Sequence, residues 1–231
     1  MADFDNIVLT NIDNHYLYNT ISSDALAIIM IDRIRRRTPT SLIRTSDGER
    51  MIITGRDHYG YLKNKVWLTK YGLLGADINK VRQGLIDAGN STDFLSCTPS
   101  GLCEKHSSYR TNDLFLQRDK YFEHFFTTYW KVGNRIEDVV RTPKNGILLL
   151  HRDVDTLVPK FINKYKIKCE GFALNSWEDH NNSIEWVNSK NAELVLVSGG
   201  ASGKALIVKM ARVTGKVCLD VGQALSDQWA D

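Results

Sequence analysis

The sequence predicts an α/β fold, a single Rossmann-like domain with a largely parallel sheet and helices on both faces. Three observations carry that expectation. Along most of the chain, apolar runs of strand length alternate with segments whose apolar residues recur at helical spacing. Two of the runs, Ile147-Leu148-Leu149-Leu150 and Leu194-Val195-Leu196-Val197, are apolar at every position, which suits strands covered on both faces. A length of 231 residues with 42% hydrophobic content suffices for one full core, and no linker-like stretch divides it, so residues 1–231 are expected to form one domain.

The elements follow in order. Residues 1–23 are polar and expected to be irregular, with Ser22, Ser23 and Asp24 reading as a helix N-cap. The helix runs to about Arg37, with Leu26, Ile29, Met30 and Ile34 on one face, and Pro39 closes it. Residues 41–45 lean towards strand, then Ser46, Asp47 and Gly48 turn the chain and a helix starts near Glu49. A helix over 77–88, closed by Gly89 and Asn90, leads to a strand at 92–97 and a turn at 98–101. Residues 118–130 hold Tyr121, Phe122, Phe125, Phe126, Tyr129 and Trp130 and are expected to be a helix feeding the core. Strands at 146–151, 168–174, 193–198 and 216–221 and helices at 155–165, 183–189 and 202–213 complete the alternation, with Pro159 weakening the first of these helices. Ligands of such sheets bind beyond the carboxyl ends of the strands. That rule selects the loops 46–49, 98–103, 152–155, 175–180, 199–204 and 222–226.

Net charge is +3 and the pI about 8.6, too mild for a dedicated nucleic-acid-binding domain. Arg33, Arg35, Arg36 and Arg37 form a dense patch, with Lys63, Lys65, Lys70 and the lysines of 160–168 elsewhere. A polyanionic partner is permitted, and a solvated helix end, where cations suit the dipole, is the simpler reading. No apolar run approaches the roughly 20 residues of a membrane span. The opening Met1 to Asp5 lacks the basic start and apolar stretch of a secretory signal, so the cytoplasm is expected. Cys97, Cys103, Cys169 and Cys218 match no zinc spacing and are expected to be thiols in or near the core.

Four segments can carry chemistry. Past the strand at 41–45, Asp47 and Glu49 flank Gly48, and hard oxygen ligands this close can share Mg²⁺ or Mn²⁺. Such an ion bridges a diphosphate and stabilises a departing nucleotide, with Arg44 placed to contact phosphate. An ordinary acidic turn with Glu49 opening a helix is the other reading, and spacing by itself favours it. Ser198-Gly199-Gly200-Ala201-Ser202-Gly203-Lys204 lies between a strand and a helix, where backbone N–H groups and the helix dipole attract phosphate. It is not a Walker loop, because Ser198 stands where the first glycine belongs and Ala205 where Ser or Thr must hold Mg²⁺. Tight helix–sheet packing is the alternative use of these glycines. Asp220 ends a strand at the same edge as a base, a sugar-hydroxyl ligand or a cap. His151 and Asp153 follow another buried strand, and Asn175 a third, as candidates to face an acceptor or a sugar. No Ser-His-Asp or Cys-His hydrolase arrangement stands out.

The two ends of the chain together resemble the GT-D glycosyltransferase family. Residues 41–49 are similar to its opening motif, of the form Arg-Phe-Gly-Asp-Gly-Glu. Residues 194–206 and 215–223 are similar to its closing segment, a strand and a Gly-Pro-Thr-Ala-like loop before a helix, then a strand ending Asp-Ile-Gly-His. About 55 residues carry the likeness. It implies a GT-D type fold and transfer from a nucleotide sugar, UDP-linked in the leading hypothesis, with Mn²⁺ or Mg²⁺ at Asp47 and Glu49. Asp47, Glu49 and Asp220 are then the catalytic candidates. Arg44, Ser46, Gly199, Gly200, Ser202, Gly203 and Lys204 are the nucleotide-binding ones. Thr45 and Ser46 replace Phe and Gly, the loop lacks its Pro, and Gln223 stands where His is usual, so a role for that His does not transfer. The acceptor hydroxyl belongs either to a glycan or to a hydroxymethylated DNA base, as in viruses whose genomes carry sugars, with Asp220 or Asp153 as its base. A non-catalytic nucleic-acid-binding module and a metal-dependent phosphate-ester hydrolase are the readings of other classes.

Overall fold

The structure, a computed structural model, describes residues 20–45, 47–57, 60–97, 115 and 121–230. Its strands form one eight-stranded sheet in the order β1-β4-β3-β2-β8-β7-β5-β6. These are β1 Thr20–Ile21, β2 Thr40–Ile43, β3 Phe94–Cys97, β4 Tyr121–Glu123, β5 Ile147–His151, β6 Cys169–Phe172, β7 Leu194–Ser198 and β8 Val217–Asp220. Every pairing among the described residues is parallel, so the largely parallel sheet predicted from the sequence is wholly so here. The helices are α1 Ser23–Arg36, α2 Asp47–Thr54, α3 Lys65–Lys70, α4 Ile78–Ser91, α5 Phe126–Val132, α6 Arg135–Arg141, α7 Val154–Tyr165, α8 His180–Asn188 and α9 Gly200–Thr214. A π-helical turn, Leu225–Trp229, follows β8. Among the described residues no helix is long and apolar enough to cross a membrane.

The fully apolar strands owe their composition to two cores. Ile147 and Leu149 of β5 join α1, α5, α6 and α7 on one face, while Leu148 and Leu150 join α8 and α9 on the other. Each fully buried Leu contributes roughly 1.5–3 kcal/mol, more than a helix cap supplies, so sheet burial decides the architecture. Caps then set the ends. Ser22 Oγ accepts from the Ala25 N–H at 3.3 Å, and Asp77 Oδ1 accepts from Asn79 at 2.9 Å.

Four local expectations change. Residues 118–130 are not one helix, since Tyr121 and Phe122 belong to β4 and only the segment from Phe126 is helical. Tyr121 packs into one core and Phe122 into the other, a strand's period of two that a run of aromatics also satisfies. Phe125 and Tyr129 lie outside the core altogether, 41% and 54% exposed. Helix α4 continues through Gly89, because the ring of Phe115 lies where a side chain would be and the glycine makes room for it. Pro159 leaves α7 unbroken; it and Asp155, whose carbonyl loses a partner, both lie on the exposed side. Thr20 and Ile21, at the end of the segment expected to be irregular, pair with β4. Cys169 and Cys218 are buried thiols, and burial pushes Cys169 up to about 12. The loop 98–103, with Cys103 and the Cys97 side chain, lies outside the described residues.

Two consequences of topology position the site. The chain leaves β5 for β6 in one direction and β7 for β8 in the other, so the connections diverge at the neighbours β5 and β7, which is where α/β sheets open a crevice at their carboxyl edge. A helix that follows a parallel strand begins at that edge and ends at the other. The C-terminal arginines of α1, just before β2, and the lysines late in α7 therefore lie at the amino edge, away from the crevice.

Candidate active site

A cleft of about 560 Å³ opens at the carboxyl edge. It collects Arg44 after β2, His151 and Asp153 after β5, Asn175 after β6, Gly199, Gly200 and Lys204 after β7, and Asp220 at the end of β8. Residues from five strand ends, predicted separately, thus share one cavity.

Its floor is a buried charge cluster. Lys204, in the second turn of α9, places Nζ 2.6 Å from Glu49 Oε1 and 3.9 Å from Asp220 Oδ2. The three side chains are 12%, 2% and 4% exposed. Asp220 Oδ2 also accepts from the Arg44 backbone N–H at 3.0 Å and Oδ1 from the Gly222 N–H at 3.1 Å. Burial raises the Asp220 carboxyl above its ordinary range, against the pull of Lys204 and Arg44. Burial by itself would lower Lys204, but Glu49 and Asp220 outweigh it, and the ammonium is held above its ordinary value. The cation therefore persists at neutral pH.

Arg44 forms the adjoining wall. Its Nη1 donates to Thr127 Oγ1 at 3.0 Å, while Nε is buried with no partner among the described residues. Gly222, at φ 52°, lies against the guanidinium, and an added Cβ would stand 3.1 Å from Nη2, so both the turn and the close approach call for glycine. The turn after β2 is braced from behind. Ser96 Oγ accepts from the Thr45 N–H at 3.0 Å and meets His124 Nδ1 at 3.0 Å. Burial, then Arg44 and Lys204, hold His124 well below its ordinary pKa, so it braces the turn as a neutral ring.

At the carboxyl end of β5, His151 Nδ1 accepts from the Asp153 N–H at 2.8 Å, which keeps the ring in its Nε2–H form. Burial lowers the His151 pKa, with Asp153 opposing. Asp153 is open, 56% exposed, and only loosely paired to Arg152 at 3.4 Å. The Asn175 backbone N–H is spent on Asp179 at 2.8 Å, while its exposed residue lines the cleft.

Two of the glycine-loop residues turn away from the cleft. Ser202 is 1% exposed and its Oγ meets His180 Nε2 at 2.7 Å. Gly203 packs beneath the sheet, where an added Cβ would meet Val197 at 3.1 Å. Both residues serve helix–sheet packing at the start of α9, while Ser198, Gly199, Gly200 and Lys204 of this loop line the cavity. Ser46 and the side chain of Asp47 lie outside the described residues. The wall formed by Thr69, Lys70, Tyr71 and Gly72 was not anticipated. Its one sequence signal was Gly72, whose φ of 67° brings the chain onto Ser202 and the Gly199 carbonyl. His124 was missed because its turn was read as helix, and Thr127 because its helix was read only as core.

The Ser202–His180 pair has a pH consequence. Burial lowers His180 to about 4, against its hydrogen bond to the Ser202 backbone. The unfolded chain protonates this imidazole near 6.5 while the folded chain does so only near 4, so its contribution is full above about 6.5 and lost as pH falls towards 4, by up to about 1.4 kcal/mol per pH unit. Urea denaturation at pH 7 and pH 5 should show this loss, and His180→Gln should flatten it.

The described carboxylates fit a divalent ion poorly. Glu49 is bonded to an ammonium, both oxygens of Asp220 accept backbone N–H groups, and no group of three or more His, Cys, Asp and Glu side chains among the described residues could hold a metal.

Two solved structures share the architecture. One, described as a highly conserved domain of unknown function 1792 with a distinct glycosyltransferase fold, is 12% identical, with a TM-score of 0.60 over 94% of this chain and 82% of that one. The other, a selenomethionine-substituted domain of unknown function 1792, is 11% identical, with a TM-score of 0.59 over the same shares. No curated protein sequence matches the chain. At such identities the neighbours establish the fold alone. The GT-D fold-like domain model, however, matches residues 21–227, almost the whole length that carries the sheet and its cleft, and so the chain belongs to the GT-D fold-like domain family.

Proposed function

We propose that this chain, whose family and fold support a glycosyltransferase, moves a sugar from a nucleotide sugar, with UDP as the carrier, to the hydroxyl of a glycan. The observation that carries the reading is the cleft, where Arg44, Lys70, Arg152 and Lys204 and the start of α9 at Gly200 surround one polar cavity. Cations and a helix N-terminus suit the diphosphate of the donor. Asp153 and His151 stand across it, and they supply an exposed carboxylate and an N–H donor for the acceptor. Between the two carboxylates expected as the base, Asp153 suits the role better. Asp220 is buried with both oxygens accepting N–H groups, so its work is to fix the cluster.

Placement also bears on the acceptor. The arginines of 33–37, the patch that permits a polyanionic partner, stand at the edge opposite the cleft. Two of them are paired, Arg36 with Asp32 at 2.8 Å and Arg37 with Glu193 at 2.9 Å. Lys70 lines the cleft itself, and steeply salt-dependent DNA binding would bring the DNA acceptor back.

The test is release of nucleotide from a panel of nucleotide sugars, with and without Mn²⁺. Turnover of a UDP-sugar is expected. No turnover and no binding across the panel would sink the reading, and phosphate release from simple esters without sugar transfer would replace it with a hydrolase.

A further inference from the structure

We propose that Lys204 is the resident cation of this site and does, without a divalent ion, what a metal at the Asp47–Glu49 turn would do, neutralising charge on the departing diphosphate. The proposal rests on the reading of the cleft as a nucleotide-sugar site. Three observations carry it. The first is place, because Nζ of Lys204 lies 2.6 Å from Glu49 and 3.9 Å from Asp220, where a metal held by these carboxylates would be. The second is donor count. An ammonium has three N–H donors. Glu49 takes one and Asp220 stands beyond hydrogen-bond reach, while Lys204 lies on the cleft wall with 12% of its side chain exposed. The third is charge. In formal charge, a divalent ion on two carboxylates makes a neutral cluster, and so do two side-chain cations, Lys204 paired with Glu49 and Arg44 on the same cleft wall as Asp220.

In the transfer, the bond from the anomeric carbon to the diphosphate oxygen breaks and leaves its electron pair on that oxygen. The acceptor oxygen bonds to the anomeric carbon and its proton passes to the carboxylate of Asp153. Lys204 stays protonated throughout and meets the new negative charge as a fixed donor, so no bond to it forms or breaks.

The cation claim is tested by Mn²⁺ uptake of the full chain, followed by electron paramagnetic resonance of the free ion. This measurement needs no nucleotide. Wild type is expected to take up none in the cleft, and Lys204→Ala to take up about one ion per chain through the carboxylates it exposes, an uptake that adding Glu49→Gln removes. Wild-type uptake that Glu49→Gln abolishes overturns the proposal, and so does a folded Lys204→Ala that takes up no ion. The wild-type measurement decides the matter even where the variant does not fold. A second arm titrates UDP in the presence of a chelator. Wild type is expected to bind as well as it does with Mn²⁺, and Lys204→Met to bind about tenfold or more weaker. UDP binding that appears only with Mn²⁺ overturns the proposal. A wild type that binds no UDP under either condition instead sinks the nucleotide-sugar reading, and the Mn²⁺ comparison still decides which cation the carboxylates hold.

Discussion

Glu49→Gln is expected to lower folding stability by about 3–5 kcal/mol, read as a lower urea midpoint with an unchanged slope. The neutral amide keeps the shape of the side chain and removes the charge facing Lys204 at 2.6 Å. Among the described residues, an ammonium in this buried place then has only the Asp220 carboxylate, at 3.9 Å, to offset its lost hydration. Most of the cost is that uncompensated charge, since the net worth of an intact buried pair is small. The double variant Glu49→Leu with Lys204→Met should therefore recover much of the loss while losing donor binding, because it replaces the pair with apolar groups of similar volume. A single variant as stable as wild type would mean that water reaches Lys204 well enough to hydrate it, and the cluster would not be the closed floor described above.

The second large effect is on turnover. Asp153→Asn should reduce kcat by about 10²–10⁴, the range that general-base catalysis supplies, with little change in KM for the donor. Its stability should stay near wild type, because the side chain is 56% exposed and paired to Arg152 only at 3.4 Å, a surface pair worth about 0–1 kcal/mol. The separation matters because Asp220→Asn would disturb both fold and rate. It would leave the Arg44 and Gly222 N–H groups facing an amide in place of a carboxylate. If Asp153→Asn keeps the wild-type kcat, the acceptor proton goes elsewhere, and the neutral His151 ring beside it becomes the group to test.

Much of this fold is legible in the sequence for a simple reason. Strands buried on both faces must be apolar along their length, as β5 and β7 are up to their last residue, and helices lying on them must carry a stripe, as α1 and α4 do. The same logic fails where composition serves two structures. Tyr121 and Phe122 pack on opposite faces of a strand, yet the aromatics around them also fit a helix. Short helices such as α3 and α6 escape because seven residues or fewer scarcely establish a period.

The site divides the same way. The chain by itself determined that its polar residues follow strand ends, and a parallel sheet brings strand ends to one edge, so Arg44, His151, Asp153, Asn175, Gly199, Gly200, Lys204 and Asp220 meet in one cleft. The likeness at its two ends likewise led to the GT-D family, which the domain match over residues 21–227 shows. Tertiary structure alone decided which charges meet. Lys204 and Glu49 are 155 positions apart, and their contact depends on β7 and β2 being separated by β8 alone and on the phase of α9 above them. The same packing turned Ser202 and Gly203 inward and carried the arginines of 33–37 to the far edge. Periodicity reports which side of its own backbone a residue takes. The distant charge that faces it is set by strand order and helix rotation, which no local window of sequence contains.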